Sequence, residues 1–167
     1  MKGNSICYPT VLFDWGDTVM RDDPASTVPM VEWSTIEVVE GIADLLADLH
    51  SSGRRIILAT SAAISDESQI RGALARVELD QYFSRIYCFK NTHLPKGEAF
   101  YRHILSDLGT PASDVMMIGD SFEKDVLAAN AVGIFAICFN PISDEIRSTE
   151  LHTTVHTMQE LRIFFKF

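Results

Sequence analysis

Short apolar runs that stop abruptly at a polar residue recur along the chain. The first, over residues 10–13, is followed by Asp14-Trp15-Gly16-Asp17-Thr18, and similar runs end at Thr60 and Asp120. Apolar runs of this length, bounded by turn signals, are typical of buried strands. We predict five strands, the first reaching about residue 14 and the others over 54–60, 85–89, 114–119 and 134–139.

Amphipathic segments lie between these runs. Ile42, Leu45, Leu46 and Leu49 recur at i, i+3, i+4 and i+7, which places them on one face of a helix that Gly53 ends. Strands that alternate with helices are typical of a parallel sheet covered on both faces, so we predict a three-layer α/β/α sandwich. The other helices are predicted over 66–77, 95–108 and 122–132 and from about residue 157.

The length of 167 residues suits one domain, and we predict a single core domain over 1–167. Residues 1–7 are predicted to be a loose lead-in. Residues 19–34 are predicted to be a loop rather than an inserted domain, with the adjacent aspartates at 22 and 23 in solvent. No apolar run approaches the roughly 18–20 residues of a membrane span, and no secretory signal is expected.

The formal net charge of −9 disfavours nucleic acid as a partner, because an acidic surface repels phosphates. A phosphorylated substrate is still compatible with this charge if the site holds a cation. Cys7, Cys88 and Cys138 are widely spaced and form no CxxC pair. The last two lie in apolar runs, so we expect buried, reduced thiols in a cytoplasmic protein rather than metal ligands.

Three of the predicted strands deliver oxygen-bearing side chains to one edge of the sheet. The carboxyl ends of parallel strands form the ligand-binding edge, so Asp14, Thr60 and Asp120 are expected to meet there, with Asp125 nearby. Like charges this close resist ionisation unless a cation compensates them. Such oxygen ligands suit Mg²⁺, and a carboxylate beside the cation can act as a nucleophile toward a phosphoryl group.

Four motifs at these positions resemble those of the haloacid dehalogenase (HAD) superfamily. The first motif, DxDGT after an apolar strand, corresponds to Asp14-Trp15-Gly16-Asp17-Thr18, and the fourth, GDxxxxD, corresponds to residues 119–125. The second, a Thr or Ser that ends the next strand, corresponds to Thr60, and the third, a lysine ahead of a helix, corresponds to Lys96. The resemblance covers residues 10–140 and implies a HAD-like Rossmannoid sheet with Mg²⁺ as cofactor.

The resemblance also implies a role for each matched residue. Asp14 is implied to be the nucleophile, while Thr60 binds the phosphoryl oxygens and Lys96 neutralises charge. The implied metal ligands are Asp14, the backbone carbonyl of Gly16, and Asp120. A supporting role is implied for Asp125, which would help to orient Lys96 or the metal. We add Ser61 and Trp15 as candidate substrate contacts, and Asp17 and Ser121 as candidate supporting residues.

Gly16 is a departure from the family pattern, because phosphatases of the family usually carry an aspartate there as general acid/base. Asp17 follows one position later while Thr18 stays in register. Side chains alternate in direction along an extended segment, so Asp17 does not simply inherit the role. Loss of such an acid costs roughly 10²–10⁴-fold for a poor leaving group. Acyl or aryl phosphates, which need little protonation, therefore become the more plausible substrates.

The lysine position is a second departure. The family often has the lysine directly before a proline. Here Pro95 precedes Lys96, and Leu94 occupies the position where the family usually has the lysine. Lys96 is the preferred site lysine, and Lys90, at the end of the third predicted strand, is the reserve candidate.

We therefore predict a Mg²⁺-dependent HAD-like phosphatase with no sizeable cap, which hydrolyses a phosphomonoester through an aspartyl-phosphate on Asp14. An open site would admit a phosphorylated small molecule or the phosphorylated part of a macromolecule. Gly16 keeps two alternatives open: a phosphonatase- or dehalogenase-like hydrolase on the same fold, and a catalytically weakened module that binds Mg²⁺ and phosphate. No membrane partner is expected, and the sequence leaves the oligomeric state open.

Overall fold

A six-stranded parallel sheet forms the centre of the protein. A computed structural model of the chain describes residues 8–167, so the lead-in predicted over 1–7 and Cys7 lie outside the described residues. The strands are ordered β3-β2-β1-β4-β5-β6. Their bounds are Thr10–Phe13 (β1), Arg55–Ala59 (β2), Phe83–Tyr87 (β3), Val115–Gly119 (β4), Phe135–Phe139 (β5) and His152–Val155 (β6).

Helices connect consecutive strands from β1 to β5 and cover both faces of the sheet, as predicted, whereas a loop over 140–151 joins β5 to β6. Their bounds are Ile42–Ser51 (α1), Glu67–Arg76 (α2), Phe89–Thr92 (α3), Glu98–Leu108 (α4), Ala128–Asn130 (α5) and Met158–Phe164 (α6), with a π-helical turn at Phe122–Leu127 before α5.

Alternate residues of β1 enter two separate apolar layers. Val11 and Phe13 pack on one face with the buried leucines of α1. Leu12 points to the opposite face, where it packs with Phe100 and Tyr101 of α4. The side chains of Val11, Leu12 and Phe13 are fully buried, which explains the apolar run after Thr10 in this strand. The result is the predicted three-layer α/β/α sandwich.

The sixth strand is absent from the sequence-based prediction. β6 is a short edge strand, and its two central threonines are only half-buried, so it lacks the apolar run that marks the inner strands. The predicted 85–89 strand is also shifted, because β3 is Phe83–Tyr87 and Phe89 already begins α3. The Asn91 side chain favours this helical turn, since its Oδ1 accepts a hydrogen bond from the Cys88 N–H at 2.9 Å.

Residues 22–36 form an excursion that leaves and rejoins the fold at one place. Met20 forms an antiparallel bridge with Val38, and the Arg21 N–H donates to the Glu37 carbonyl at 2.8 Å. The Arg76 guanidinium, at the end of α2, donates to the carbonyls of residues 31, 33 and 34. The excursion is therefore fixed to α2 at its middle and closed by backbone pairing at its base.

Cys88 and Cys138 are buried free cysteines, as predicted. Within residues 8–167, every helix is too short or too polar to cross a lipid bilayer.

Candidate active site

The carboxyl ends of the three central strands bring the predicted site residues together. β1 lies between β2 and β4, so Asp14, Thr60 and Asp120 follow adjacent strands. The Asp14 N–H donates to the Ile118 carbonyl at 2.9 Å, which extends the β1–β4 pairing to the point where the nucleophile candidate emerges. Thr60 is buried, and its Oγ1 accepts a hydrogen bond from the Ala62 N–H at 3.0 Å. Backbone pairing therefore determines where each side chain enters the site.

Lys96 lies buried between two of the carboxylates. Its Nζ donates to Oδ1 of Asp14 at 2.7 Å and forms an ion pair with Oδ1 of Asp125. The Lys96 side chain is only 1% exposed. Burial lowers its pKa, but the negative charge of Asp14, with a further contribution from that of Asp125, more than reverses this effect and leaves the pKa raised. Lys96 is therefore a permanent cation in contact with Asp14.

Asp125 is buried beneath the open edge of the site and forms an ion pair with Lys96. Its second oxygen accepts a hydrogen bond from the Ser121 N–H at 2.9 Å, across the π-helical turn. A Cβ added to Gly119 would lie 2.2 Å from that oxygen, so only glycine lets the carboxylate approach this closely. Burial raises the pKa of Asp125 to about 6, although Lys96 opposes the shift. The predicted 122–132 helix is observed as a π-helical turn at Phe122–Leu127 followed by α5 at Ala128–Asn130.

Asp120 lies at the solvent edge of the same cluster. Burial raises its pKa to about 7, with further contributions from the hydrogen bond and the charge of Asp14. The buried Thr18 hydroxyl lies 3.4 Å from Oδ1 of Asp120. Carboxylate oxygens of Asp14, Asp120 and Asp125 lie within 4.8 Å of one another. The carboxylates therefore repel one another, and a bound cation would reduce this repulsion.

The donor set fits a magnesium ion. The three carboxylates face one lysine and leave an excess of two negative charges, which a divalent cation would neutralise. Both Asp125 oxygens already have partners, so Asp14 and Asp120 are the carboxylates free to bind the ion. Among residues 8–167, no hydrogen bond is directed at the Gly16 carbonyl oxygen, which leaves that oxygen free as a third ligand. Oxygen-only ligands of this kind suit Mg²⁺.

A cavity of about 450 Å³ opens above these groups. Its floor is the ion cluster, which consists of Asp14, Lys96, Asp120 and Asp125. The 22–36 excursion and the loop after β2 form its walls. Trp33 is held in the wall because its Nε1 donates to Ser26 Oγ at 2.9 Å. Residues around the cavity outside the ion cluster include Trp15, Thr60, Ser61, Trp33, Ser121 and Lys124.

Two of the predicted residues lie apart from the central cluster. Asp17 is exposed, has a left-handed backbone with φ of 56°, and accepts a hydrogen bond from the Asp22 N–H at 3.1 Å. Lys90, the reserve lysine, is exposed on α3 and does not line the cavity. The structure therefore brings Lys96 to Asp14 and keeps Lys90 at the surface.

Thr18 and Asp22 are site residues that sequence reasoning did not single out. For Thr18 a signal exists, because it stands in register with the threonine of DxDGT. For Asp22 the local sequence carries none, since its position depends on how the excursion folds back. Burial raises the pKa of Asp22, and the charges of Asp17 and Asp14 raise it further.

Comparison with known proteins identifies a family for this site. The haloacid dehalogenase-like hydrolase family model matches residues 26–139, more than half of the chain. A crystal structure of an uncharacterized protein from Listeria monocytogenes serotype 4b superposes with a TM-score of 0.79, at 21% sequence identity, and covers 95% of this chain and 99% of that one. At this identity the likeness shows the fold.

Two curated relatives resemble part of the chain. A ribulose-1,5-bisphosphate 5-phosphatase from Halopiger xanaduensis is 27% identical over 136 residues, which is 81% of this chain and 54% of the relative. The pyrimidine 5'-nucleotidase PynA from Streptococcus pneumoniae is 29% identical over 107 residues, which is 63% of this chain and 44% of the relative. The chain thus spans about half the length of the curated relatives that it matches.

Proposed function

The chain belongs to the haloacid dehalogenase-like hydrolase family, and on that premise we propose that it is a Mg²⁺-dependent phosphatase acting through an aspartyl-phosphate on Asp14. The observation that carries this proposal is the 2.7 Å contact between Lys96 Nζ and Asp14 Oδ1 at the floor of an open cavity. The lysine contacts Asp14 directly and orients its carboxylate. A phosphoryl group entering the cavity would meet a carboxylate nucleophile beside a fixed cation.

Each group at the floor of the cavity has a role in this proposal. Asp14 attacks phosphorus, and the bond from phosphorus to the leaving oxygen breaks; water then attacks the acyl phosphate and releases inorganic phosphate. Lys96 and the Thr60 hydroxyl bind phosphoryl oxygens, and Asp125 holds Lys96 in place. When bound by Asp14, Asp120 and the Gly16 carbonyl, Mg²⁺ would offset the remaining negative charge and polarise the phosphoryl group.

Ser61, Trp15 and Ser121 belong to the same proposal as residues of the cavity rim. Ser61 is exposed beside Thr60, and its hydroxyl can donate to a phosphoryl oxygen. Trp15 is only 5% exposed, so the substrate would contact just the small part of its ring that lines the cavity. Ser121 supports Asp125 through its N–H. Asp17 has a supporting role, since its carboxylate holds the backbone of the turn after Asp14.

We propose a single hydrolase core domain over residues 1–167, without a sizeable cap. Between Thr18 and Ile42 the chain holds the 22–36 excursion, and between Thr60 and Lys96 it holds α2, β3 and α3. The site is then open to a bulky phosphomonoester, either a small molecule such as a sugar phosphate or a nucleotide or the phosphorylated part of a macromolecule. The buried free thiols support a cytoplasmic location within the same proposal.

The direct test of this function is hydrolysis of a panel of phosphomonoesters, with and without Mg²⁺. We expect turnover of an aryl phosphate that requires Mg²⁺ and stops on chelation. Release of halide from a haloacid, or of phosphate from a phosphonate only, would instead identify the alternative hydrolases. Mg²⁺ binding without turnover of any phosphomonoester would identify a weakened binding module.

Asp120→Asn should stabilise the metal-free protein and remove its response to Mg²⁺. The Asp120 pKa is raised in the folded state, so its ionised form costs stability as the pH rises from about 4 to about 7. Since the group is partly exposed, we expect the variant to gain only about 1–2 kcal/mol, or ~2–8 °C in Tm, at pH 8. At 100 times Kd, Mg²⁺ should raise the wild-type Tm by about 5–11 °C (~2.7 kcal/mol).

Thermal melts with and without Mg²⁺ measure both effects. The matched control is Asp44→Asn, which removes the same charge from the exposed face of α1 and should keep the Mg²⁺ response. For the wild type, the metal-free Tm should fall between pH 5 and pH 8, and the fall should shrink in Asp120→Asn. An unchanged Mg²⁺ response in Asp120→Asn would remove Asp120 from the ligand set.

A further inference from the structure

The space beside Gly16 is filled by the side chain of Asp22. A Cβ added to Gly16 would lie 3.0 Å from Oδ2 of Asp22 and 3.2 Å from its Cβ and Cγ. Any side chain at position 16 would therefore begin in tight contact with the Asp22 side chain. The chain lacks a carboxyl group at position 16, but it holds one in the adjoining space.

The backbone of the turn holds the Asp22 carboxyl in this place. The Asp22 N–H donates to Asp17 Oδ1 at 3.1 Å, and Asp22 Oδ1 accepts a hydrogen bond from the Asp23 N–H at 2.9 Å. The preceding residue, Arg21, is paired with Glu37 at the base of the excursion. Oδ2 accepts no hydrogen bond from residues 8–167, so one oxygen is anchored and the other is free to react.

Asp22 also faces the reaction site. It lines the same cavity as Asp14 and Lys96, and it belongs to the 22–36 excursion. The Asp22 side chain is exposed to the cavity solvent, so a bound leaving group can reach it. Residues 15 and 17 aside, the three atoms nearest to a Cβ at position 16 all belong to the Asp22 side chain.

We propose that Asp22 is the general acid/base of the reaction, acting from the excursion in place of a side chain at position 16. This inference rests on the proposed phosphatase function and extends it to substrates with poor leaving groups. As the bond from phosphorus to the leaving oxygen breaks, the Asp22 carboxyl gives its proton to that oxygen. In the second step the Asp22 carboxylate takes a proton from the attacking water, and the carboxyl is restored as phosphate leaves Asp14.

Leaving-group dependence tests this assignment. An alkoxide leaving group needs a proton, whereas 4-nitrophenolate does not, so Asp22→Asn should lower kcat/KM for an alkyl phosphate by about 10²–10³-fold and for 4-nitrophenyl phosphate by less than ~5-fold. The ratio kcat/KM is the right quantity because it reports the step in which the leaving group departs. Asp23→Asn, which removes the same charge one residue later, is the matched control and should leave both substrates nearly unaffected.

A transplanted carboxyl provides the second measurement. Removing the Asp22 side chain frees the space beside Gly16. The double variant Gly16→Asp/Asp22→Gly should therefore be at least about tenfold more active toward the alkyl phosphate than Asp22→Gly alone. A melting temperature for each variant separates loss of function from loss of fold. Recovery would show that the two positions serve one role.

Each other outcome overturns the inference. If Asp22→Asn lowers the activity toward both substrates equally, or toward neither, Asp22 is not the proton donor. The same conclusion follows if the wild type hydrolyses 4-nitrophenyl phosphate but no alkyl phosphate. Those results leave the phosphatase function standing, because aryl turnover that depends on Asp14 tests it separately. Absence of any phosphomonoester turnover by the wild type would overturn the function and this inference together.

Discussion

Asp14→Asn is expected to lower kcat/KM for an aryl phosphate by at least about 10⁴-fold, because the amide cannot attack phosphorus to form the acyl phosphate. The substitution keeps the size of the side chain. Asp125 still pairs with Lys96, and one of three crowded carboxylates is lost, so the fold should remain intact. We expect Tm to stay within about 4 °C of the wild-type value.

Steady-state kinetics and a thermal melt on the same preparation test this expectation. Asp44→Asn is the control for loss of one negative charge, and its activity should equal that of the wild type. Retention of more than about one tenth of the wild-type activity by Asp14→Asn would mean that another group attacks the substrate.

Lys96→Met should reduce both activity and stability. Methionine has nearly the same length but no charge, so Asp14 and Asp125 would lose the cation that each of them contacts. Breaking a buried ion pair from one side costs about 3–5 kcal/mol, which corresponds to ~6–20 °C in Tm for a chain of this size. Loss of the charge that binds the phosphoryl group should lower kcat by about 10²–10³-fold.

The destabilisation should depend on pH in a defined direction. The Asp125 pKa is already raised to about 6, and loss of Lys96 would raise it further. A carboxyl with a raised pKa costs no stability while it is protonated, so the difference between Lys96→Met and the wild type should be smaller at pH 5 than at pH 8.

Lys90→Met is the matched control for this prediction. It makes the same change at the exposed lysine on α3, where surface substitutions usually stay within about 0.5 kcal/mol. A larger loss of activity in Lys90→Met than in Lys96→Met would transfer the role to the reserve candidate. Full activity in Lys96→Met would remove the contact with Asp14 from the mechanism.

The inner strands were predictable because their signal is local. β1, β2 and β4 are buried on both faces, so each reads as a continuous apolar run that stops at a polar residue. β6 lies at the edge of the sheet and is half-buried at its centre, so its sequence has no such run. The π form of the predicted helix at Phe122–Leu127 was not predicted either; the buried Asp125 carboxylate lies within this turn and accepts a hydrogen bond from the Ser121 N–H.

The meeting of the site residues was predictable to the extent that it follows from strand order. Asp14, Thr60 and Asp120 each follow a central strand, and adjacent parallel strands bring their carboxyl ends to one edge. Asp22 could not be predicted in this way. Its place beside Gly16 depends on the turn through Asp17 and on pairing between residues 20 and 38, which are distant in sequence.

The stereochemical course at phosphorus tests the central proposal, covalent catalysis by Asp14, most directly. Each in-line displacement inverts the configuration, so transfer to Asp14 and then to water gives net retention. The measurement uses a phosphomonoester made chiral with oxygen isotopes and does not require the intermediate to accumulate. We predict retention; inversion would show that water attacks the substrate directly and would contradict the account.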